Sequence, residues 1–216
     1  MIEPTAVVFA ESEVAESAYI GHFALVGHPR RIDPRGGAEL SGPNGPWEDS
    51  AGAVVMERAV VSAYCHIDDG VVIEPEAWLA SGCRVGHDTR IRSGAQLLYA
   101  CQVFDRVNVA EGAVIAGFVC NDVRVGPEAQ VFGSLVHRLV DAPRGGADPR
   151  PEVSEPAPVI GAGAIVGTGA VVVGGVTVGA GAYIAAGAVL TRDAEPHTLY
   201  VGVPARPRGP APKPFA

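Results

Sequence analysis

The chain has 216 residues, 48% of them apolar, with a formal net charge of −8 and a pI near 5.2. That length and apolar content suit one large domain or two small ones with a substantial core. The acidic balance argues against non-specific binding to nucleic acid or to an anionic membrane surface. No cationic stretch followed by an apolar one opens the chain, so no signal peptide is expected and a cytoplasmic protein is.

Read from the N-terminus, the chain falls into sixes. The first block runs IEPTAV, VFAESE, VAESAY, IGHFAL and VGHPRR from residue 2. Residues 33–53 interrupt it with a Pro/Gly-rich polar segment that holds Trp47, which predicts a loop ejected between coils. A second block runs from residue 55 as VMERAV, VSAYCH, IDDGVV, IEPEAW, LASGCR, VGHDTR, IRSGAQ, LLYACQ, VFDRVN and VAEGAV. The register slips by four near 115–119, then resumes as VCNDVR, VGPEAQ and VFGSLV. Residues 137–158 form the third break, long, charged and rich in Pro, and long loops in compact domains tend to carry function. A third block runs from residue 160 as IGAGAI, VGTGAV, VVGGVT, VGAGAY, IAAGAV and LTRDAE.

Position one is Ile, Val or Leu almost throughout, and position five is small, most often Ala, Val, Cys or Thr. A period of six fits neither 3.6 residues per turn nor simple strand alternation. It fits a short strand followed by a turn of about 120°, so that three hexapeptides close a triangular coil of eighteen residues and stacked coils pair as parallel strands. Cys65, Cys83 and Cys101 are eighteen apart at position five, which predicts one buried column of small thiols in a reducing compartment. The uncharged stretch Val171 to Leu190 is long enough to suggest a membrane helix. Its recurring Gly and its Val and Ile content disfavour a helix, and its pattern is that of the rest of the chain, so it reads as the last coils. Residues 1–190 are thus expected to form the coils. Residues 191–216 are expected to leave them as a tail whose prolines prevent regular structure and which crosses toward a neighbouring subunit.

The pattern [LIV]-[GAED]-x-x-[STAV]-x resembles that of the hexapeptide-repeat acyltransferases. The resemblance implies an all-β fold, a left-handed parallel β-helix; the hand does not follow from the repeat itself. The segment VIGAGAIVGTGAVVVGGVTVGAGAYIAAGAVLTRDAEPHTLYVGVPARPRG is similar to the end of xenobiotic and galactoside O-acetyltransferases and of sugar N-acetyltransferases. In that family the corresponding positions line a coenzyme A groove between subunits of a trimer. The resemblance therefore implies acetyl-CoA or another acyl-CoA as co-substrate, no metal, and a homotrimer. Its groove would involve Thr168, Ala186, Thr191, Arg192 and Arg206, with Arg192 in place of the usual Lys. Arg side chains suit the phosphates of such a ligand, and exposed backbone at small residues suits its amides.

Acyl transfer from a thioester requires a base for the attacking hydroxyl or amine and donors for the developing oxyanion, and needs no covalent enzyme nucleophile. VFGSLVHRLVD resembles the stretch in which the xenobiotic branch places its catalytic His, which makes His137 the first candidate, although Val136 stands where that branch has Asn. His87 in VGHDTRI is the second candidate; it sits at position three between Asp69 and Asp105 of adjacent coils, and it resembles the catalytic His of acyltransferases that act on nucleotide sugars. His66 follows, and His22, His28 and His197 read as surface or packing residues. Two other classes share the repeat. A γ-carbonic anhydrase would call for three His ligands, two of them five apart, and no two His here are so spaced. A β-helix serving as a binding scaffold is the other. The acceptor is expected to be a small molecule, a sugar or natural product, selected by the loops at 33–53 and 137–158.

Overall fold

A computed structural model describes residues 1–9, 18–28, 52–98, 101–115, 123–136 and 157–212. All regular structure among them is β. Each regular hexapeptide of the second block contributes a two- or three-residue strand made of its position six, facing out, and the following position one, facing in. The inward side chains, among them Ile67, Ile73, Leu79, Ile91, Leu97, Ile115, Ile160 and Ile184, are at most 1% exposed and form one continuous core. Burying each such side chain contributes roughly 1.5–3 kcal/mol. Ala59, Cys65, Val71, Ala77, Cys83, Thr89, Ala95, Cys101 and Val107 fill the corners from position five and are buried as well.

Three parallel sheets result. Sheet A runs from Tyr19–Ile20 through Val54–Val55, Arg90–Ile91, Asn108–Val109 and Gln130–Val131 to Tyr183–Ile184 and beyond. Sheet B runs from Val7–Val8 through Trp78–Leu79 and Ser134–Val136 to Val189–Leu190. Sheet C runs from His66–Ile67 through Arg84–Val85 to Thr177–Val178. The chain visits A, B and C in turn, and the pairing interval is eighteen, as in Val72 with Arg90 and Arg90 with Asn108. The corners are bonded too: Asp88 N donates to Asp69 O at 2.9 Å, and Arg106 N to His87 O at 2.8 Å. Position four of a corner takes positive φ, which Gly70 and Gly94 adopt freely and Tyr64, Glu76, Asp88 and Arg106 adopt at some cost. The fold is the one the resemblance implies, an all-β left-handed parallel β-helix.

The breaks share one location. Those expected at 33–53, near 115–119 and at 137–158 each fall between a strand of sheet B, namely Leu25–His28, Val114–Ile115 or Ser134–Val136, and the next described strand. The slip of four is present as expected, since Gln102 pairs with Arg124, 22 positions on. VFGSLV, by contrast, is not a regular hexapeptide. Val114 pairs with Ser134, 20 positions on, whereas Asn108 pairs with Gln130, 22 on. The corner between Val131 and Ser134 is therefore two residues short, and Leu135 takes the inward place. Gly133 permits the tight turn: a Cβ there would lie 2.3 Å from the Ala170 carbonyl oxygen.

Regular structure also extends beyond Leu190, where the coils were expected to end. Ala194 bridges to Val178, and Thr198–Val201 adds to sheet A with Leu199 opposite Tyr183. The chain then reverses, and Arg206–Pro210 pairs antiparallel to it. Proline is compatible with this outermost position because an edge strand needs only half its backbone groups in the ladder. The stretch Val171 to Leu190 consists of strands, and no helix among the described residues is long and apolar enough to cross a membrane.

Candidate active site

The corner joining sheet C to sheet A carries the most chemistry. Asp68, Gly86 and Phe104 stack at position two in successive coils, and Asp69, His87 and Asp105 at position three. The His87 side chain is 53% exposed, and its Nε2 lies 4.0 Å from Asp68 Oδ2. The other oxygen of Asp68 is 2.9 Å from His66 Nε2. His66 thereby holds one edge of the carboxylate and leaves the other facing His87.

Asp69 and Asp105 flank His87 at position three as expected, but the carboxylate nearest its ring is that of Asp68. Asp105 is engaged with the backbone, its Oδ1 accepting from His87 N at 3.1 Å. A side chain at position 86 would meet that oxygen at 2.4 Å, so Gly86 is what admits the carboxylate. Asp69 offers its main-chain oxygen to Asp88. The ring of His87 answers instead to position two of the coil beneath. Thr89 fixes the same turn from inside: it is fully buried, donates to Phe104 O at 2.7 Å and accepts from Val107 N at 3.2 Å. Asp68 and Thr89 were missed from sequence, though a lone hydroxyl at position five in a column of Val, Ala and Cys was a usable signal.

The first candidate, His137, lies outside the described residues; the sheet B strand Ser134–Val136 leads directly to it. His22 bonds Thr5 Oγ1 through Nδ1 at 2.8 Å and faces Glu3 at 3.3 Å, which ties two N-terminal coils together. His197 turns at positive φ with its ring against Gly181. His28 ends the strand Leu25–His28.

The five residues assigned to the coenzyme groove do not converge within one chain. Thr168 and Ala186 are stacked and exposed at the corner from sheet A to sheet B. Thr191 and Arg192 are exposed past the far edge of sheet B, after Val189–Leu190, while Asp193 accepts from Thr177 N at 2.8 Å. Arg206 is exposed on the terminal strand of sheet A. The four on the coils thus border sheet B along its last rungs. Thr168 alone of the five also lines a cavity of about 370 Å³, together with Arg92, Asn108, Ala110, Glu111 and Phe132.

Cys65, Cys83 and Cys101 form the expected buried column as free thiols, with Cys65 Sγ donating to Ala80 O at 3.2 Å. Burial pushes the Cys65 thiol well above the ordinary range. Cys83 is raised well above it too, first by the neighbouring Cys101 sulfur and also by burial. Among the described residues no three His, Cys, Asp or Glu side chains are placed to hold a metal ion.

Residues 157–192 match the family model described as bacterial transferase hexapeptide (six repeats). The chain is a hexapeptide-repeat β-helix. Its fold is shared with LpxA from Acinetobacter baumannii, at 14% identity and a TM-score of 0.72, over 97% of this chain and 74% of that one. A UDP-N-acetylglucosamine acyltransferase from Francisella novicida is similar at 19% identity and a TM-score of 0.58, over 97% and 70%. AntD, an N-acyltransferase from Bacillus cereus solved with dTDP and 3-hydroxybutyryl-CoA, is similar at 18% identity and a TM-score of 0.55, over 66% and 81%. No curated protein matches the sequence. At these identities it is the architecture of the hexapeptide-repeat chain that is common ground.

Proposed function

We propose that the protein is an acyl-CoA-dependent acyltransferase that moves an acetyl or other acyl group to a hydroxyl or amine of a small acceptor, with a histidine as general base. The observation that carries this reading is an exposed His87 faced by a carboxylate, on a fold shared with acyltransferases. Asp68 faces Nε2 and so favours the tautomer with its proton there, leaving Nδ1 as the basic nitrogen. The acceptor's oxygen or nitrogen attacks the thioester carbonyl carbon as its proton passes to Nδ1. The carbon–sulfur bond then breaks, and the departing thiolate takes the proton back from the imidazolium, whose charge Asp68 stabilises while it exists.

Arg192 and Arg206 are exposed cations suited to the phosphates of the co-substrate, and Thr168 and Ala186 expose a corner of small residues suited to its pantetheine arm. Because these groups stand at opposite edges of sheet B and on the terminal strand of sheet A, the groove is completed by a neighbouring subunit in a homotrimer. Reduced cysteines and a soluble co-substrate suit action in the cytoplasm. Titrating acetyl-CoA and free coenzyme A into the wild type and into Arg192→Ala tests the reading. Saturable binding to the wild type, weakened about tenfold or more by loss of a charge-assisted contact, supports it. Absence of binding to the wild type moves the protein to the class of β-helical scaffolds.

A further inference from the structure

The short corner at Val131–Ser134 removes two residues from one coil, while the corners stacked on either side keep theirs. The wall of the β-helix is therefore set back at Phe132 and Gly133, and the resulting notch is the 370 Å³ cavity at this corner. That volume falls in the range of small-molecule sites, about 300–1,000 Å³. Its back is the half-buried ring of Phe132; Arg92, Asn108, Glu111 and Thr168 surround it.

The charged groups around the notch are unequally engaged. Arg92 Nε donates to Asn108 Oδ1 at 3.2 Å, and its Nη1 lies 3.9 Å from Glu74. Arg90 faces the same carboxylate at 3.8 Å. Glu111 has no partner among the described residues, and neither has the Thr168 hydroxyl. Apart from Thr168, which the coenzyme groove uses, the groups unengaged among the described residues are thus a carboxylate and the NH2 group of Asn108, set beside an aromatic face. From these we infer that the notch is a binding site for a small hydroxylated ring carrying a protonated amine, an amino sugar in its chemistry. The ammonium pairs with Glu111, the apolar ring face lies on Phe132, and a hydroxyl accepts from the Asn108 amide. The strand Arg90–Ile91 runs between the His87 corner and the notch. Calling the occupant the acyl acceptor rests on the acyltransferase reading; the binding site itself does not.

The test is ligand-detected NMR at pH 7 with glucosamine and glucose as probes, alongside coenzyme A titration, on the wild type, Glu111→Gln and Ala110→Trp. Glucosamine is expected to bind the wild type at least tenfold more tightly than glucose. Glu111→Gln removes that preference. Ala110→Trp fills the notch and abolishes both signals, and Glu111→Gln alters neither the thermal midpoint nor the affinity for coenzyme A. Equal binding of the two sugars, or no binding of glucosamine to the wild type, overturns the inference. So does a loss of coenzyme A affinity in Glu111→Gln, which assigns the notch to the co-substrate. Coenzyme A binding without glucosamine binding sinks the notch and leaves the acyltransferase reading standing; glucosamine binding without coenzyme A binding does the reverse.

Discussion

At the scale of single residues, Asp68 is held by His66 and turned toward His87, and this gives it a positioning role with a measurable consequence. Asp68→Asn is expected to lower turnover by about tenfold while leaving acyl-CoA affinity unchanged, because general-base assistance is worth about 10²–10⁴-fold and orientation is part of it. Equal turnover in the variant and the wild type counts against that role. The identity of this carboxylate was hidden in the sequence. An interval of eighteen places Asp69 and Asp105 in line with His87, but a repeat gives the stacking of backbone positions and not the direction of rings. Gly86, Asp105 and the ring's lean decide it, and those are packing facts. The buried thiols were legible from spacing alone, and they carry a pH dependence. Cys65 and Cys83 are raised in the folded state, so their contribution is complete below the unfolded thiol value near about 8.5 and is lost as pH rises above it. The loss is about 1.4 kcal/mol per pH unit for each thiol. The urea midpoint should fall more steeply between pH 8 and 10 in the wild type than in the Cys65→Ala/Cys83→Ala variant; parallel curves contradict this.

At the scale of elements, each coil depends on its corners as much as on its strands. Thr89 joins two corners from within the core, satisfying Val107 N–H and capping the Phe104 carbonyl. Thr89→Val keeps the volume and strands a buried donor, which costs about 1–3 kcal/mol. Leu97→Ala, in the centre of the continuous core, is expected to cost about 2–5 kcal/mol. If chemical denaturation finds Thr89→Val neutral, the corner is held by other bonds. Strand positions and the four-residue slip were readable because position one must be apolar and position five small wherever a coil closes. The two-residue deletion was not, because VFGSLV satisfies the same pattern in the wrong frame: Val131 and Leu135 are both inward, and only the pairing of Ser134 with Val114 and Val171 shows the missing residues. The ordered strands beyond Leu190 were likewise obscured, since proline counts against a central strand and says nothing against an edge.

At the scale of the whole molecule, the β-helix is a rod whose repeat is interrupted after strands of sheet B and whose candidate groups lie at three corners. The His87 cluster is at the corner from C to A, the notch at the corner from A to B, and Thr191 with Arg192 past the far edge of sheet B. A single chain does not bring these together, so the account requires an assembly. Light scattering is expected to give the mass of three chains, and a monomer would remove the groove on which the proposal depends. The central claim is tested most directly by following thiol release from acetyl-CoA over a panel of amino and neutral sugars, with wild type, His87→Ala and His137→Ala side by side. The account predicts acceptor-dependent release by the wild type, and a fall of about 10²–10⁴-fold in His87→Ala with acetyl-CoA affinity retained. Full activity in His87→Ala with loss in His137→Ala would contradict the assignment of the base, and no release with any acceptor by a wild type that binds no acetyl-CoA would contradict acyl transfer itself.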